Sequence, residues 1–208
     1  MCSIFGSFSK DKIVELAELN KYRGQHSYSY SYYYTDTNEI TVYKGLGELP
    51  LDQINIPPKA YCIAHMQAPT TENKSEDFIH PAFYKNTFLW HNGIIKDHWV
   101  KDTMKSAGIS ESWDTYQILH KYVNTGSLND IDGTFSCVYY GHGQLQLFRN
   151  EISPLFLDSD YNISSTRFAN SIPLEPNIIW QFNPGNSIIP IGTFNTVENP
   201  YFFMDEVT

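Results

Sequence analysis

Two short elements of the sequence could carry covalent chemistry, and the first is a cysteine at position 2. Cys2 directly follows Met1, and a small second residue normally allows the initiator methionine to be removed. The mature Cys2 would then carry a nucleophilic thiol and, next to it, a free α-amine. The unperturbed pKa values of these groups are about 8.5 and about 8, so near neutral pH the amine can take the thiol proton. This chemistry needs no catalytic histidine.

The second element is the pair Asn92-Gly93, within the run LWHNGIIKDH. Taken alone, the pair is more typical of a two-residue hairpin turn, because Asn-Gly tolerates positive φ at both positions. An alternative uses the side-chain amide of Asn92 and the backbone N–H of Gly93 as two donors aimed at one point. Such a pair forms an oxyanion hole for the tetrahedral intermediate of acyl transfer.

Composition limits the classes of protein that fit this chemistry. The chain has 208 residues with 41% hydrophobic and 15% aromatic side chains, which predicts one folded domain spanning 1–208. A net charge of -9 argues against nucleic-acid or anionic-membrane partners. No apolar run approaches the ~18 residues of a membrane span. The three cysteines are odd in number and widely spaced, which favours a reducing, cytoplasmic setting and predicts neither a disulfide framework nor a metal or other cofactor.

Strand patterns dominate the sequence. Residues 25–34 include the run HSYSYSYYY, whose period-two alternation predicts the first arm of a hairpin, with the second arm at residues 40–43. A short apolar run at residues 3–8 places Cys2 at the mouth of a buried strand. Further strands are predicted at 60–65, 87–91, 134–140, 144–149, 161–165 and 187–191.

Three helices fit between these strands. Residues 9–21 form one, capped by Ser9. Asp97 caps the second, which stops at Gly108. Ser110 or Ser112 caps the third. Because strands and helices occur in blocks, the expected fold class is α+β with antiparallel sheets.

Taken in order, the motifs resemble those of one enzyme family. They are MCSIFG, KYRGQHSYS, IAHMQAPTT, LWHNGIIKD, ESWDTYQILH and DGTFSCVYY followed by LQLFRNEISPLFL. This series resembles the glutaminase domain of the class II glutamine amidotransferases, which are N-terminal-nucleophile (Ntn) hydrolases, and it covers nearly the whole chain. The resemblance implies a four-layer αββα sandwich of two mainly antiparallel sheets.

The resemblance also implies roles for matching residues. Cys2 would be the nucleophile with its α-amine as base, and Asn92 and Gly93 would form the oxyanion hole. Asp114 would accept a hydrogen bond from the α-ammonium of substrate glutamine. Thr70 would lie beside the substrate carboxylate, and Arg23 would support the site.

Simpler interpretations exist for three of these residues. A carboxylate such as Asp114 in the first turn of a helix is favourable whatever the function. Arg23 could be an ordinary surface arginine before a Gly turn, and Thr70 a helix-cap or turn residue.

The main departure from the family pattern is Gln67, at the position where the family usually has an arginine that grips the glutamine α-carboxylate. A neutral amide donates hydrogen bonds but lacks the charged, bidentate fork of arginine. Glutamine affinity could therefore be lower, or the amide donor could be a different compound.

The function expected from the resemblance is a free-standing amidotransferase subunit without a synthetase domain. It would hydrolyse glutamine to glutamate through a Cys2 thioester and pass ammonia to a separate synthetase or transferase polypeptide. Two alternatives remain open: an Ntn hydrolase of another amide, such as a γ-glutamyl or small N-acyl compound, and a non-catalytic regulatory subunit that kept the fold.

Overall fold

The computed structural model describes residues 2–68, 78–110, 113–195 and 197, which form two antiparallel sheets packed face to face. The first sheet contains, in spatial order, Ile172–Pro173 (β11), Phe156–Leu157 (β9), Ile163–Ser164 (β10), Ser3–Ser7 (β1), Ala60–Gln67 (β4), Ser27–Tyr34 (β2) and Ile40–Leu46 (β3). The second contains Ser187–Thr193 (β13), Ile178–Asn183 (β12), Gln144–Arg149 (β8), Gly133–Gly141 (β7), Thr87–Ile95 (β6) and Ala82–Tyr84 (β5).

Helices cover the outer faces of the sheets. Lys10–Asn20 (α1), followed by a 3-10 turn at Lys21–Arg23, packs on β1 and β4 of the first sheet. Asp114–Thr125 (α3) packs on β5 and β6 of the second sheet, and Asp97–Ala107 (α2) packs on α3. The layers are therefore helix, sheet, sheet and helix, which confirms the expected α+β fold class and its αββα sandwich.

The alternation of Ser and Tyr in β2 shows how sequence determines this packing. Successive side chains of a strand point to opposite faces. Tyr30 and Tyr32 pack with Ile13 and Leu16 of α1 in one core, while the serines occupy the other face. Tyr30 also stacks on Tyr43 of β3 at 4.9 Å between ring centroids, so residues 25–34 and 40–43 do form the predicted hairpin.

The core between the sheets takes large apolar side chains from both. Ile4 and Ile63 of the first sheet pack with Trp90, Val138 and Phe182 of the second, and all five are fully buried. Through Trp90 and Ile4, this core packs the first half of β6 against the beginning of β1. Cys2 and the Asn92-Gly93 pair are consequently held on a rigid framework.

Ser9 caps α1 as predicted, whereas the starts of α2 and α3 differ from the sequence expectation. Asp97 is the first residue of α2 and Lys96 occupies its N-cap, whereas the αL glycine at the other end, Gly108, is as predicted. The N-cap of α3 is Trp113, with no side-chain capping bond, so Ser110 is not its cap. Ser112 lies outside the described residues. Within the described part of the chain, no helix has both the length and the apolar character needed to cross a membrane.

Candidate active site

A small cavity opens where the start of β1, the ends of β4 and β6 and the first turn of α3 meet. Its walls are formed by Cys2, Gln67, Phe78, His80, His91, Gly93, Trp113, Asp114 and Thr115. Four residues singled out from the sequence, Cys2, Gln67, Gly93 and Asp114, therefore share one cavity. Thr70 lies outside the described residues.

Cys2 lies at the end of the cavity, just before β1. Its side chain is buried, with 6% of the residue exposed, and the thiol donates to the main-chain oxygen of Ala68 at 3.7 Å. Burial raises the pKa of this thiol to about 11; the positive charge of the N-terminus opposes the shift, and the Asp114 carboxylate contributes to it. The thiol is therefore protonated at neutral pH and needs a base in direct contact to become a nucleophile.

Arg23 holds the backbone of Cys2. Its Nε donates to the Cys2 carbonyl oxygen at 3.0 Å, and its Nη1 donates to the Tyr22 hydroxyl at 3.2 Å. The next residue, Gly24, lies so close to the main chain of Gln67 and Ala68 that a Cβ atom would overlap it. Arg23 is thus a partly buried support of the nucleophile's main chain, and it is not among the residues that line the cavity.

The Asn92-Gly93 pair lies inside β6 and does not form a hairpin turn, so the turn interpretation is wrong. Asn92 pairs with Ser136 and Gly93 with Phe135 on β7. Gly93 has a φ of +155°, and an added Cβ would overlap the Thr134 carbonyl oxygen. Only glycine allows β6 and β7 to approach this closely at the cavity wall.

The Asn92 side chain is buried beside this wall. Its Nδ2 donates to Ser136 Oγ at 3.4 Å, and 3% of the residue is exposed. An amide nitrogen carries two hydrogens, so this bond engages one of them. Asn92 is adjacent to Gly93 but is not itself a lining residue of the cavity.

Asp114 begins α3 and supplies the carboxylate of the cavity. Its Oδ1 accepts from the Thr115 backbone N–H at 2.7 Å and, over a longer distance, from the Thr115 hydroxyl at 3.4 Å. Its Oδ2 lies 4.0 Å from His91 Nδ1, and 23% of the side chain is exposed. One carboxylate oxygen is therefore fixed by the protein, and the group is open to a ligand.

Gln67 lines the cavity with an amide that is already engaged by the protein. Its Nε2 donates to the Phe78 carbonyl at 3.0 Å. Its Oε1 accepts from Ser27 Oγ at 3.3 Å and lies 3.1 Å from His80 Nδ1. Among the described residues, one N–H of this amide has no partner and is open to a substrate, which is far less than the bidentate fork of an arginine offers.

Four further lining residues were missed in the sequence analysis: Phe78, His80, Trp113 and Thr115. Trp113 packs edge-on against both His80 and Phe78, at 5.0 and 5.9 Å between ring centroids. His80 carried no local signal, because its partners Gln67 and Thr115 lie 13 and 35 positions away. Thr115 could have been considered, since it follows Asp114 directly.

Two other histidines are held by hydrogen bonds at this site: His91 lines the cavity, and His65 lies behind its wall. His65 Nε2 donates to the His91 carbonyl at 3.1 Å, and burial lowers the pKa of His65 to about 3. His65 is thus a neutral structural residue. Across the described ranges, no group of three or more His, Cys, Asp or Glu side chains is arranged to hold a metal ion.

Comparison with known proteins identifies the fold. No family model matches the sequence, and no curated protein matches it. The glutamine phosphoribosylpyrophosphate (PRPP) amidotransferase from B. subtilis, solved with ADP and GMP, aligns at a TM-score of 0.67 and 16% identity over 91% of this chain and 49% of its own. A structure described as the allosteric regulatory enzyme of purine biosynthesis aligns at a TM-score of 0.68 and 15% identity, over 92% and 48% of the respective chains.

This chain spans about half the length of both structures. At such low identity the likeness concerns the fold alone. It agrees with the sequence, in which the order of the motifs resembles that of the class II glutamine amidotransferases. Nine tenths of the chain therefore share the fold of these two structures.

Proposed function

We propose that this chain is a glutamine-hydrolysing amidotransferase domain whose nucleophile is Cys2. The observation that carries the proposal is that Cys2, Gly93 and Asp114, from three separate elements, line one cavity. A nucleophile, an oxyanion donor and an anionic group for an ammonium are the three functions that amide hydrolysis of glutamine requires. The shared fold supports the same conclusion.

The reaction begins after removal of Met1, when the Cys2 α-amine takes the proton of the thiol. The thiolate attacks the side-chain amide carbon of glutamine, and the oxyanion of the tetrahedral intermediate accepts a hydrogen bond from the Gly93 N–H. Asn92 Nδ2 is the second proposed donor, and it must turn from Ser136 Oγ toward the cavity to reach the oxyanion. The α-ammonium of Cys2 returns the proton to the leaving nitrogen, and ammonia departs. Water then hydrolyses the γ-glutamyl thioester to glutamate and regenerates the thiol.

The buried state of the thiol explains why the α-amine is needed. In the chain that retains Met1, burial raises the pKa of the Cys2 thiol to about 11, so almost no thiolate is present at neutral pH. A free amine within the same residue has an ordinary pKa of about 7.7–8.0 and can accept the proton without a distant general base. His80 and His91 are engaged with other groups, so we assign them no proton transfer with the thiol.

We also propose that the ammonia is used by a separate synthetase or transferase in the cytoplasm. All three cysteines are free and buried, which suits a reducing compartment. The neutral Gln67 supports one alternative, a hydrolase of a different amide, because the described cavity residues include no arginine or lysine to bind an α-carboxylate. Comparing hydrolysis of glutamine with that of an α-carboxyl-blocked glutamine decides between these functions.

The direct test of the proposal is glutamate release by the purified protein whose N-terminal residue has been identified by mass spectrometry. Protein that starts at Cys2 is expected to release glutamate and ammonia in equal amounts. Protein that retains Met1 is expected to be inactive, because its Cys2 nitrogen is an amide. Inactivity of correctly processed protein toward both amides, with and without candidate acceptor enzymes, would contradict the proposal.

Replacement of Asp114 by asparagine is expected to raise KM for glutamine. The change removes a charged hydrogen bond to the substrate ammonium, worth about 1.5–3 kcal/mol, which corresponds to roughly 10- to 150-fold in KM. The turnover number should change much less, because the ammonium keeps its charge throughout the reaction. Steady-state kinetics at saturating and limiting glutamine measure both.

The matched control is Asp97→Asn, since Asp97 is the first residue of α2 as Asp114 is of α3. Both changes remove a first-turn carboxylate, which costs about 0.3–1 kcal/mol of helix stability. Only Asp114→Asn should raise KM. Equal kinetic behaviour of the two variants would leave Asp114 with a helix-stabilising role alone.

A further inference from the structure

A continuous chain of five hydrogen bonds runs through the buried wall of the cavity. It joins, in order, Thr134 O, His91, Thr115 Oγ1, His80, the Gln67 amide and Phe78 O. The distances along it are 3.3, 3.1, 3.0, 3.1 and 3.0 Å in the same order. His80, His91 and Thr115 are at most 3% exposed, so bulk water cannot replace a missing partner.

Both ends of this chain are carbonyl oxygens, which only accept hydrogen bonds. Each neutral imidazole supplies one N–H, and the Thr115 hydroxyl supplies one O–H, which donates either along the chain or, over a longer distance of 3.4 Å, to Asp114 Oδ1. The Gln67 amide presents one donor and one acceptor along the chain, whichever way its oxygen and nitrogen are assigned. At most four protons are therefore available for five bonds, and a neutral chain always leaves two lone pairs facing each other.

One additional proton satisfies every bond. His91 then donates from Nε2 to Thr134 O and from Nδ1 to Thr115, whose hydroxyl donates to His80 Nε2. His80 donates from Nδ1 to Gln67, and Gln67 donates to Phe78 O. The resulting imidazolium is His91, whose Nδ1 lies 4.0 Å from Asp114 Oδ2.

The surrounding charges select His91 as the holder of this proton. Burial holds the pKa of His80 well below its usual value. The positive charge of Lys44 on β3, which bonds the Ile79 and Pro81 carbonyls on either side of His80, acts in the same direction. His65 on β4 stacks on His80 at 4.0 Å and is neutral.

Three other titratable groups face His91. Cys137 on β7 is opposite it in register, and burial raises the pKa of that thiol. Cys2 shares the cavity with it and is also protonated. Asp114 on α3 favours the imidazolium, while burial lowers the pKa of His91.

We propose that His91, Thr115 and His80 form a binding site for one extra proton that is balanced by the Asp114 carboxylate, and that an ammonium-bearing substrate displaces this proton. The second half rests on the proposed function, in which Asp114 binds the substrate ammonium. Two cations then compete for one carboxylate. Substrate binding is coupled to proton release, and proton uptake weakens binding by the same factor.

The sign of the pH dependence follows from this competition. Above the pKa of His91 the Asp114 carboxylate is free for substrate, and KM is constant. Below that pKa the imidazolium occupies it, and KM rises by up to about tenfold for each pH unit, as expected for one competing proton. The turnover number of bound substrate should not follow the same titration.

The decisive variants are Thr115→Val and Thr115→Ser, examined by nitrogen-15 NMR of the histidine rings from about pH 5 to about pH 8. Valine splits the chain into two pieces, each of which neutral imidazoles satisfy fully, so the demand for an extra proton disappears. We expect His91 to become doubly protonated in acid in the wild type and in Thr115→Ser, and its pKa to fall by at least about one unit in Thr115→Val.

If the charge of Asp114 alone controlled the pKa of His91, this pKa would rise in Thr115→Val. Asp114 would lose its contact with Thr115 Oγ1, so its carboxylate would attract a proton on His91 more strongly. A raised or unchanged pKa in this variant would overturn the proton site. So would a wild-type protein in which His91 and His80 stay singly protonated over the whole range.

The coupling between substrate binding and proton release is measured on Cys2→Ala, a variant in which the hydrogen-bond chain is intact. This measurement therefore does not depend on whether Thr115→Val folds. Titration calorimetry with glutamine, in two buffers of different ionisation enthalpy, is expected to detect release of up to one proton below the His91 pKa. Binding without proton release would overturn the displacement step. A protein that does not bind glutamine at any pH would remove the proposed function and the displacement step together, while the ring titration still decides the proton site.

Discussion

Replacement of Cys2 by alanine is expected to abolish glutamate release without unfolding the protein. Loss of a covalent nucleophile typically costs about six orders of magnitude in kcat. The fold should tolerate the change, because the thiol makes one long hydrogen bond, to Ala68 O. Glutamate production and thermal unfolding, measured on the same preparation, check both halves of the expectation.

Other cysteine variants make this result specific. Cys2→Ser should retain at most slight activity, since a hydroxyl is much harder to deprotonate than a thiol. Cys62→Ala and Cys137→Ala serve as controls, because both thiols are buried away from the cavity lining and burial raises the pKa of each. Activity in Cys2→Ala, or its loss only in a control that remains folded, would contradict the assignment of the nucleophile.

Replacement of Asn92 by alanine is expected to lower kcat by about 10²- to 10³-fold, the loss seen when one oxyanion donor is removed. KM should change little, because this hydrogen bond strengthens only as negative charge develops on the substrate oxygen. Initial rates over a wide range of glutamine concentrations separate the two constants.

The structure offers a matched control for this variant. Asn92 Nδ2 donates to Ser136 Oγ, so Ser136→Ala removes the internal partner and leaves the Asn92 amide in place. If Asn92 acts on the oxyanion, Ser136→Ala keeps kcat within about tenfold of the wild type, since it disturbs only the orientation of the donor. If Asn92 is merely structural, the two variants should lose stability together, and the rate per folded molecule should be preserved in both.

The fold was largely predictable because its strands have strong local patterns. The Ser and Tyr alternation of β2 fixes which side chains face α1, and the pairing of Tyr30 with Tyr43 follows from the hairpin. Two strands that the sequence did not predict are β5, with three residues, and β12, with six. The first contains three residues, too few for a periodic pattern to emerge.

The Asn-Gly pair shows where local preference fails. Positive φ at both residues makes Asn-Gly a strong turn signal in a short peptide. In the folded chain, pairing with Ser136 and Phe135 and the close approach of Thr134 determine its place inside β6. These partners are about forty positions distant, so no local rule contains them.

Residues of the candidate site were predictable only where the chemical type of the side chain indicated a role. Cys2 and Asp114 carry groups whose role follows from their type and from the motif order, and both line the cavity. His80 and Thr115 acquire their importance from a hydrogen-bond chain that assembles strands and a helix from distant segments. Gln67 was recognised as a departure, but its engagement with Ser27, Phe78 and His80 became visible only in three dimensions.

Covalent labelling tests the central claim, that the N-terminal thiol of Cys2 is the nucleophile, most directly. The processed protein is treated with a glutamine-mimicking diazoketone, and the modified site is located by peptide mass spectrometry. The account predicts one adduct per chain, on an N-terminal Cys2 that has lost Met1, with glutamine slowing its formation. An adduct on Cys62 or Cys137, or an unmodified Cys2 in correctly processed protein, would contradict it.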